Sequence, residues 1–202
     1  MSDPWILLTG FGPFPGVETN PTAAICEALI ARSFGGIPIQ SAVLNVCFQS
    51  IEEQLSQAWG KTPPKRVVLL GVAINRHTIG IETRAVNRCE SHRPDAAGFV
   101  PIEDQVLSKA HALDFELHSN TDTQTLVQNL NRAGFPAEHS SDAGRYLCNG
   151  VYFHALVRAS QSTDSPECVF VHLPQVGNAK GTNSQEVWRL KDLVEATTTI
   201  LQ

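Results

Sequence analysis

"KRVVLLGVA", residues 65–73, is the stretch on which the fold turns. Two cations lead into Val67, Val68, Leu69 and Leu70, and Gly71 closes the apolar run. A strand with one wet face alternates apolar and polar residues. A run with no polar position predicts a strand covered on both faces, as at the centre of a parallel sheet with helices on each side. Toward the N-terminus, "QSIEEQLSQAW" (49–59) places Ile51, Leu55 and Trp59 on one helical face, and "IPIQSAVLNV" (37–46) is β-like. Before it, "NPTAAICEALIARSFGG" (20–36) predicts a helix with Asn20 as N-cap and Pro21 in the first position. Its apolar Ile25, Ala28 and Leu29 recur at helical spacing, and Gly35-Gly36 are expected to stop it. "WILLTGF" (5–11) is a buried strand ending in a glycine turn. The order β-α-β-α-β predicts an α/β fold with a largely parallel sheet.

Toward the C-terminus the pattern loosens. "IGIETRAVNRCE" (79–90) is a strand or hairpin arm, and "SHRPDAAGFVPIEDQ" (91–105) a long loop. "TDTQTLVQNLNRAGF" (121–135) is a helix ended by Gly134. "DAGRYLCNGVYFHAL" (142–156) opens another from a glycine-containing loop, with Cys148, Val151, Tyr152, Ala155 and Leu156 at helical spacing. "ECVFVHLP" (167–174) is a strand stopped by proline, and 185–200 form a last helix. No repeat or linker interrupts residues 1–202, so one domain is expected.

Of the 202 residues, 42% are hydrophobic and 17% charged, with a formal net charge of -5. That balance, with no basic run among aromatics, argues against nucleic acid as a partner. The opening "MSDPWILLTGFG" lacks a basic segment, and no run reaches the roughly 18 apolar residues of a membrane span, so neither a secretion signal nor membrane attachment is expected. Cysteines 26, 47, 89, 148 and 168 form no C-x-x-C pair and no zinc-like spacing with histidine. Neither a metal nor another cofactor is indicated, and a reducing cytoplasm fits such thiols.

Ligands of open α/β sheets bind outside the carboxyl ends of the strands. Three segments fall there: "TGFGPFPG" (9–16) with Phe11 and Phe14, the stretch after "VVLLGV" leading to Glu82, and His172 before Pro174. Cys148 joins them if its helix begins at the same edge. A thiolate is stabilised by a helix N-terminus and by a nearby imidazolium, and the N–H groups of the first turn can receive an oxyanion. Cys148, His172 and Glu82 could serve as nucleophile, base and orienting acid. Read residue by residue, each has an inert alternative. Cys148 would be a small apolar filler, His172 a satisfied strand end, Glu82 a solvated acid, and Phe11 and Phe14 core side chains. "GFGPFPG" lacks the lysine and hydroxyl of a phosphate loop, so nucleotide binding is not expected.

Five segments in order nevertheless resemble the pyroglutamyl peptidase I family of cysteine peptidases. "ILLTGFGPFPGVETNPT" (6–22) is similar to its T-G-F-x-P-F turn and N-P-[ST], "ETRAVN" (82–87) to E-R-x-A-x-N, and "PDAAGFVP" (94–101) to P-D-x-x-G-x-x-P. "NRAGFPAEHSSDAGRYLCN" (131–149) resembles its stretch ending in C-N, and "VFVHLP" (169–174) its F-[IV]-H-[VL]-P strand. The resemblance implies a three-layer α/β/α sandwich and a triad of Cys148, His172 and Glu82. It further implies a thioester acyl-enzyme, small peptides with an N-terminal pyroglutamate as substrates, no cofactor, and a homo-oligomer, dimer or tetramer. Phe11 and Phe14 match its aromatic clamp and Asn20 its pocket-supporting asparagine.

Departures cluster after the third strand. Where the family has G-x-A-G-G-R, often with a pocket glutamine second, this chain has "GVAINRH", with Val72 in the glutamine's place and Ile74-Asn75 for the two glycines. The arginine after the triad glutamate is Thr83. A family arginine near the oxyanion region aligns with His92, and Arg93 follows one residue later. The alternatives are a member retained as a small-molecule-binding module, or a related amide or lactam hydrolase.

Overall fold

The computed structural model describes residues 3–90, 92–102 and 104–202. Its centre is a seven-stranded sheet. The strands are β1 (Ile6–Phe11), β2 (Ser33–Phe34), β3 (Ile37–Leu44), β4 (Arg66–Ala73), β5 (Ile79–Glu82), β8 (Ala137–Ser140) and β9 (Glu167–Pro174), in the order β2-β3-β1-β4-β9-β5-β8. A small antiparallel pair, β6 (Arg84–Val86) and β7 (Glu116–His118), lies apart. β3, β1, β4 and β9 run parallel. β5 runs antiparallel to β9 and carries β8 parallel beside it.

The doubly covered strand is β4: Val67, Val68, Leu69 and Leu70 are all fully buried. Because side chains alternate along a strand, each central strand feeds two cores. Ile6, Leu8, Val68, Leu70, Val169 and Val171 face α1 (Pro21–Leu29), α3 (Thr123–Arg132) and α5 (Leu190–Leu201). Leu7, Phe11, Val67, Leu69, Cys168 and Phe170 face α2 (Ile51–Trp59) and α4 (Leu147–Gln161). The result is the expected three-layer α/β/α arrangement.

Several boundaries differ from the sequence reading. α1 ends at Leu29, and Ala31 takes a left-handed conformation (φ 60°) that turns the chain. Gly35 and Gly36 therefore do not stop a helix. With φ of 57° and 80° they form the two-residue hairpin turn between β2 and β3, a connection requiring positive φ at both positions. The 79–90 segment breaks at Thr83 into β5 and β6. The last helix begins at Leu190 rather than 185, because Val187 pairs with Ala179 instead. β7 and β8 had no counterpart in the sequence reading.

Candidate active site

Cys148 is the second residue of α4, after Tyr146 in an extended N-cap conformation. The helix start is held from both sides. The fully buried Asn149 donates through Nδ2 to the carbonyls of Val86 and Arg88 (both 2.9 Å) and accepts the Val86 N–H through Oδ1 (2.9 Å). Tyr146 donates its hydroxyl to the Pro94 carbonyl (2.9 Å) and meets the Phe48 ring edge-on at 5.2 Å. The thiol thus sits over the carboxyl ends of β4 and β9. A Cβ on Gly71 would lie 2.9 Å from Cys148 Sγ and 2.7 Å from Phe170 Cζ, so only glycine lets the helix start come this close.

Gly71 is the register partner of His172 on β4, and Gly80 its partner on β5. His172 therefore stands between two residues without side chains. Because β5 is reversed, Glu82 pairs with Phe170, one step deeper into the sheet on the same face, and its carboxylate rises diagonally to the imidazole. Glu82 Oε1 lies 2.7 Å from His172 Nδ1, and Glu82 is fully buried. An ionised carboxylate only accepts, so Nδ1 carries the proton and Nε2 is left to exchange one with the thiol. Burial, the largest influence on His172, disfavours its cationic form. The charge and hydrogen bond of Cys148 and then of Glu82 outweigh it, raising the imidazole from 6.5 to about 9. Burial pushes the Cys26 thiol up to about 12 and raises those of Cys168 and Cys89 as well.

A cleft of about 290 Å³ opens in front of the pair, walled by Phe14, Pro15, Val72, Ile74, Asn75 and Arg93, with Cys148 and His172 at its floor. An inner recess continues from it, lined by Phe11, Phe14, Asn20, Val46, Val72 and Leu147. Phe11 and Phe14 therefore line the recess, with Phe11 reaching it from a buried position. Asn20 both caps α1 and braces the wall, accepting from Thr22 N (3.2 Å) and Thr22 Oγ1 (2.8 Å) and donating to the Gly12 carbonyl (3.1 Å). Val72 lines both spaces and brings no hydrogen-bonding side chain to either. Of the two candidates for the family arginine, Arg93 lines the cleft. His92 is exposed and is not among the lining residues. Thr83, in place of another arginine, bonds the Ser140 carbonyl through N (2.7 Å) and Oγ1 (3.0 Å), joining β5 to β8.

Ile74 and Asn75, which stand where the family has two glycines, wall the cleft together with Tyr146; neither Tyr146 nor Arg76, whose Nη2 lies 3.2 Å from Glu82 Oε1, is singled out by the sequence. Nothing in the local sequence pairs Arg76 with an acid six residues on, because the contact arises only where the chain turns back between β4 and β5. Among the described residues, no three His, Cys, Asp or Glu side chains group as a metal site would need.

A thiol at a helix start, an imidazole whose far nitrogen is fixed by a buried carboxylate, and an apolar recess beside them are the kinds of parts that acyl transfer uses. On this mixed sheet they define an α/β cysteine hydrolase. The pyroglutamyl peptidase family model matches residues 5–195, and the chain belongs to that family. It is 34% identical over 199 residues to the pyrrolidone-carboxylate peptidase of Halalkalibacterium halodurans, covering 98% of this chain and 97% of that one. A counterpart from Oceanobacillus iheyensis is 32% identical over 95% of this chain and 94% of its own. The crystal structure of the Thermus thermophilus pyrrolidone carboxyl peptidase superposes with a TM-score of 0.85 at 30% identity, covering 97% of this chain and 98% of that one.

Proposed function

We propose that this protein is a pyroglutamyl peptidase, a single catalytic domain that removes an N-terminal pyroglutamyl residue from small peptides through a thioester. The observation that carries the proposal is the Glu82–His172 pair facing Cys148 at the mouth of an apolar recess, in a chain aligned end to end with pyrrolidone-carboxylate peptidases. The pyroglutamyl ring is flat and neutral, so aromatic walls such as Phe11 and Phe14 suit it without a charged partner. The apolar Val72 leaves ring recognition to shape and to main-chain groups.

Cys148 transfers its proton to Nε2 of His172, and Sγ attacks the pyroglutamyl carbonyl carbon. First-turn N–H groups of α4 receive the developing oxyanion. The imidazolium gives its proton to the departing amine nitrogen as the C–N bond breaks, leaving the thioester. His172 then takes a proton from water, the hydroxide adds to the same carbon, and the C–S bond breaks. Pyroglutamic acid is released and the thiol regenerated. Glu82 keeps the proton on Nδ1 throughout.

The purified protein is expected to hydrolyse pyroglutamyl-7-amino-4-methylcoumarin and to leave the prolyl and glutamyl analogues intact. Equal turnover of all three would make it a general amidase, and ring binding without turnover a binding module. Full-length relatives favour neither alternative. Five free thiols and the lack, among the described residues, of a helix long and apolar enough to cross a membrane support a cytoplasmic setting. Assembly as a dimer or tetramer is part of the same reading, checked by light scattering.

A further inference from the structure

We infer that Arg76 is a positioning residue of this reaction: by holding Glu82 ionised, it keeps the proton of His172 on Nδ1 and leaves Nε2 free to receive the proton of Cys148. The inference rests on the proposed thiol mechanism. A fully buried carboxylate needs compensating charge, and Glu82 has two sources within reach, the imidazole at 2.7 Å and the Arg76 guanidinium at 3.2 Å, both on Oε1. The guanidinium is fixed from several directions. Its Nη2 also donates to Ser140 Oγ (2.9 Å), and its main chain is pinned by Asn178 Nδ2 on the Arg76 carbonyl (3.0 Å) and the Ile74 carbonyl (2.6 Å).

Its path is built into the sheet. Arg76 crosses β5 directly over Gly80, the strand partner of His172. A Cβ there would clash with Nη1, far inside van der Waals contact, and lie 3.0 Å from Cζ. Glycine at 80 therefore makes room for the cation that reaches Glu82.

The other groups around Glu82 are engaged without supplying it a positive charge. Tyr152 on α4 donates to the Glu82 main-chain carbonyl (3.1 Å), and Ser140 on β8 is the neutral co-acceptor of Arg76. Glu138, on the same face of β8, takes the Thr78 hydroxyl (2.6 Å). Arg84 is turned to Glu116 and the Ser141 carbonyl, and Cys148 lies beyond the ring. Were Glu82 to gain a proton, its O–H would donate to Nδ1 and the ring proton would sit on Nε2. That tautomer cannot accept from a thiol.

The test is the pH profile of kcat/KM for the pyroglutamyl coumarin amide in wild type, R76M and R76K, with iodoacetamide labelling of Cys148 over the same range as a substrate-free reading. R76M is expected to lose about ten-fold or more in kcat at pH 6, with KM within about three-fold. Its acid limb and its labelling midpoint should both move up by about one pH unit or more. R76K should fall between R76M and wild type, and methylguanidine added to R76A should restore part of the rate at pH 6. An R76M profile and labelling midpoint equal to wild type, or moved down, would overturn the inference. If R76M shows no thermal transition, R76Q is judged by the same criteria. Wild type without turnover would remove the proposed function while labelling still tests Arg76, whereas active wild type with an unmoved R76M profile removes the Arg76 inference alone.

Discussion

The two faces of the central sheet are built from the same strands and do different work. Toward α1, α3 and α5 the strands present Ile6, Leu8, Val68, Leu70, Ile79, Ile81, Val169 and Val171, an apolar layer closed by Leu126, Leu130 and Leu193. Toward α2 and α4 the same alternation begins with Leu7, Val67 and Cys168 but ends, at the carboxyl ends, in Gly71 and His172, with Glu82 alongside on β5. The reason is where the covering helix begins. α4 lies over the lower rungs with its body and reaches the last rung only with its first turn, so that rung faces a thiol and a cleft. This face also carries a buried polar cost: among the described residues, Glu82 Oε2 finds no hydrogen-bond partner. One face is a continuous apolar core, the other ends in the proposed site, and the boundary between them is one helix terminus.

The contrast can be broken by mutation. The largest expected effect is Cys148→Ala, which should lower kcat/KM for a pyroglutamyl amide about 10³-fold or more. Its unfolding free energy should stay within about 1 kcal/mol of wild type in urea titrations, because the side chain is only half-buried. On the opposite face, Leu130→Ala empties a fully buried site under α3 and should cost about 2–5 kcal/mol of stability in the same titration. Its kcat/KM per folded molecule should match wild type; a ten-fold fall would show that the two faces are coupled.

Glu82→Gln should reduce kcat about 10²-fold or more while leaving pyroglutamate inhibition little changed, since the acid acts on the imidazole and not on the ring pocket. An unchanged kcat would move the orienting role elsewhere. The smallest effect is in stability against pH. The folded imidazole is raised from 6.5 to about 9, so its contribution is complete below about 6.5 and is lost as pH rises through about 9. The melting temperature should therefore fall by roughly a few degrees across that window. The fall should be smaller in Cys148→Ala, because Cys148 comes first among the groups that raise the imidazole.

What could be read from the sequence follows from burial. β9 occupies Glu167–Pro174, the segment assigned to it beforehand, and β4 differs by one residue, because runs buried on both faces carry their signal in composition alone. Cys148 and His172 were legible as a helix start and a strand end. β8, "AEHS", has no hydrophobic period because it is an edge strand whose side chains are exposed or half-buried, and β7 is a three-residue pair. The direction of β5 was hidden as well. Parallel and antiparallel strands look alike locally, and only the partner strand, 90 residues away, decides. For the same reason the Arg76–Glu82 contact was illegible, and the choice between His92 and Arg93 needed the loop in three dimensions.

The reversal of β5 also makes the site depend on a contact made far along the chain. Helix α4 and strand β9 are neighbours along the chain and can meet early, but the imidazole gains its acid only when a strand from 90 residues upstream slides in against the grain of the sheet. Folds rich in such distant pairings form slowly. A chain in which β5 has not docked against β9 holds a thiol and a histidine without the buried carboxylate beside the ring.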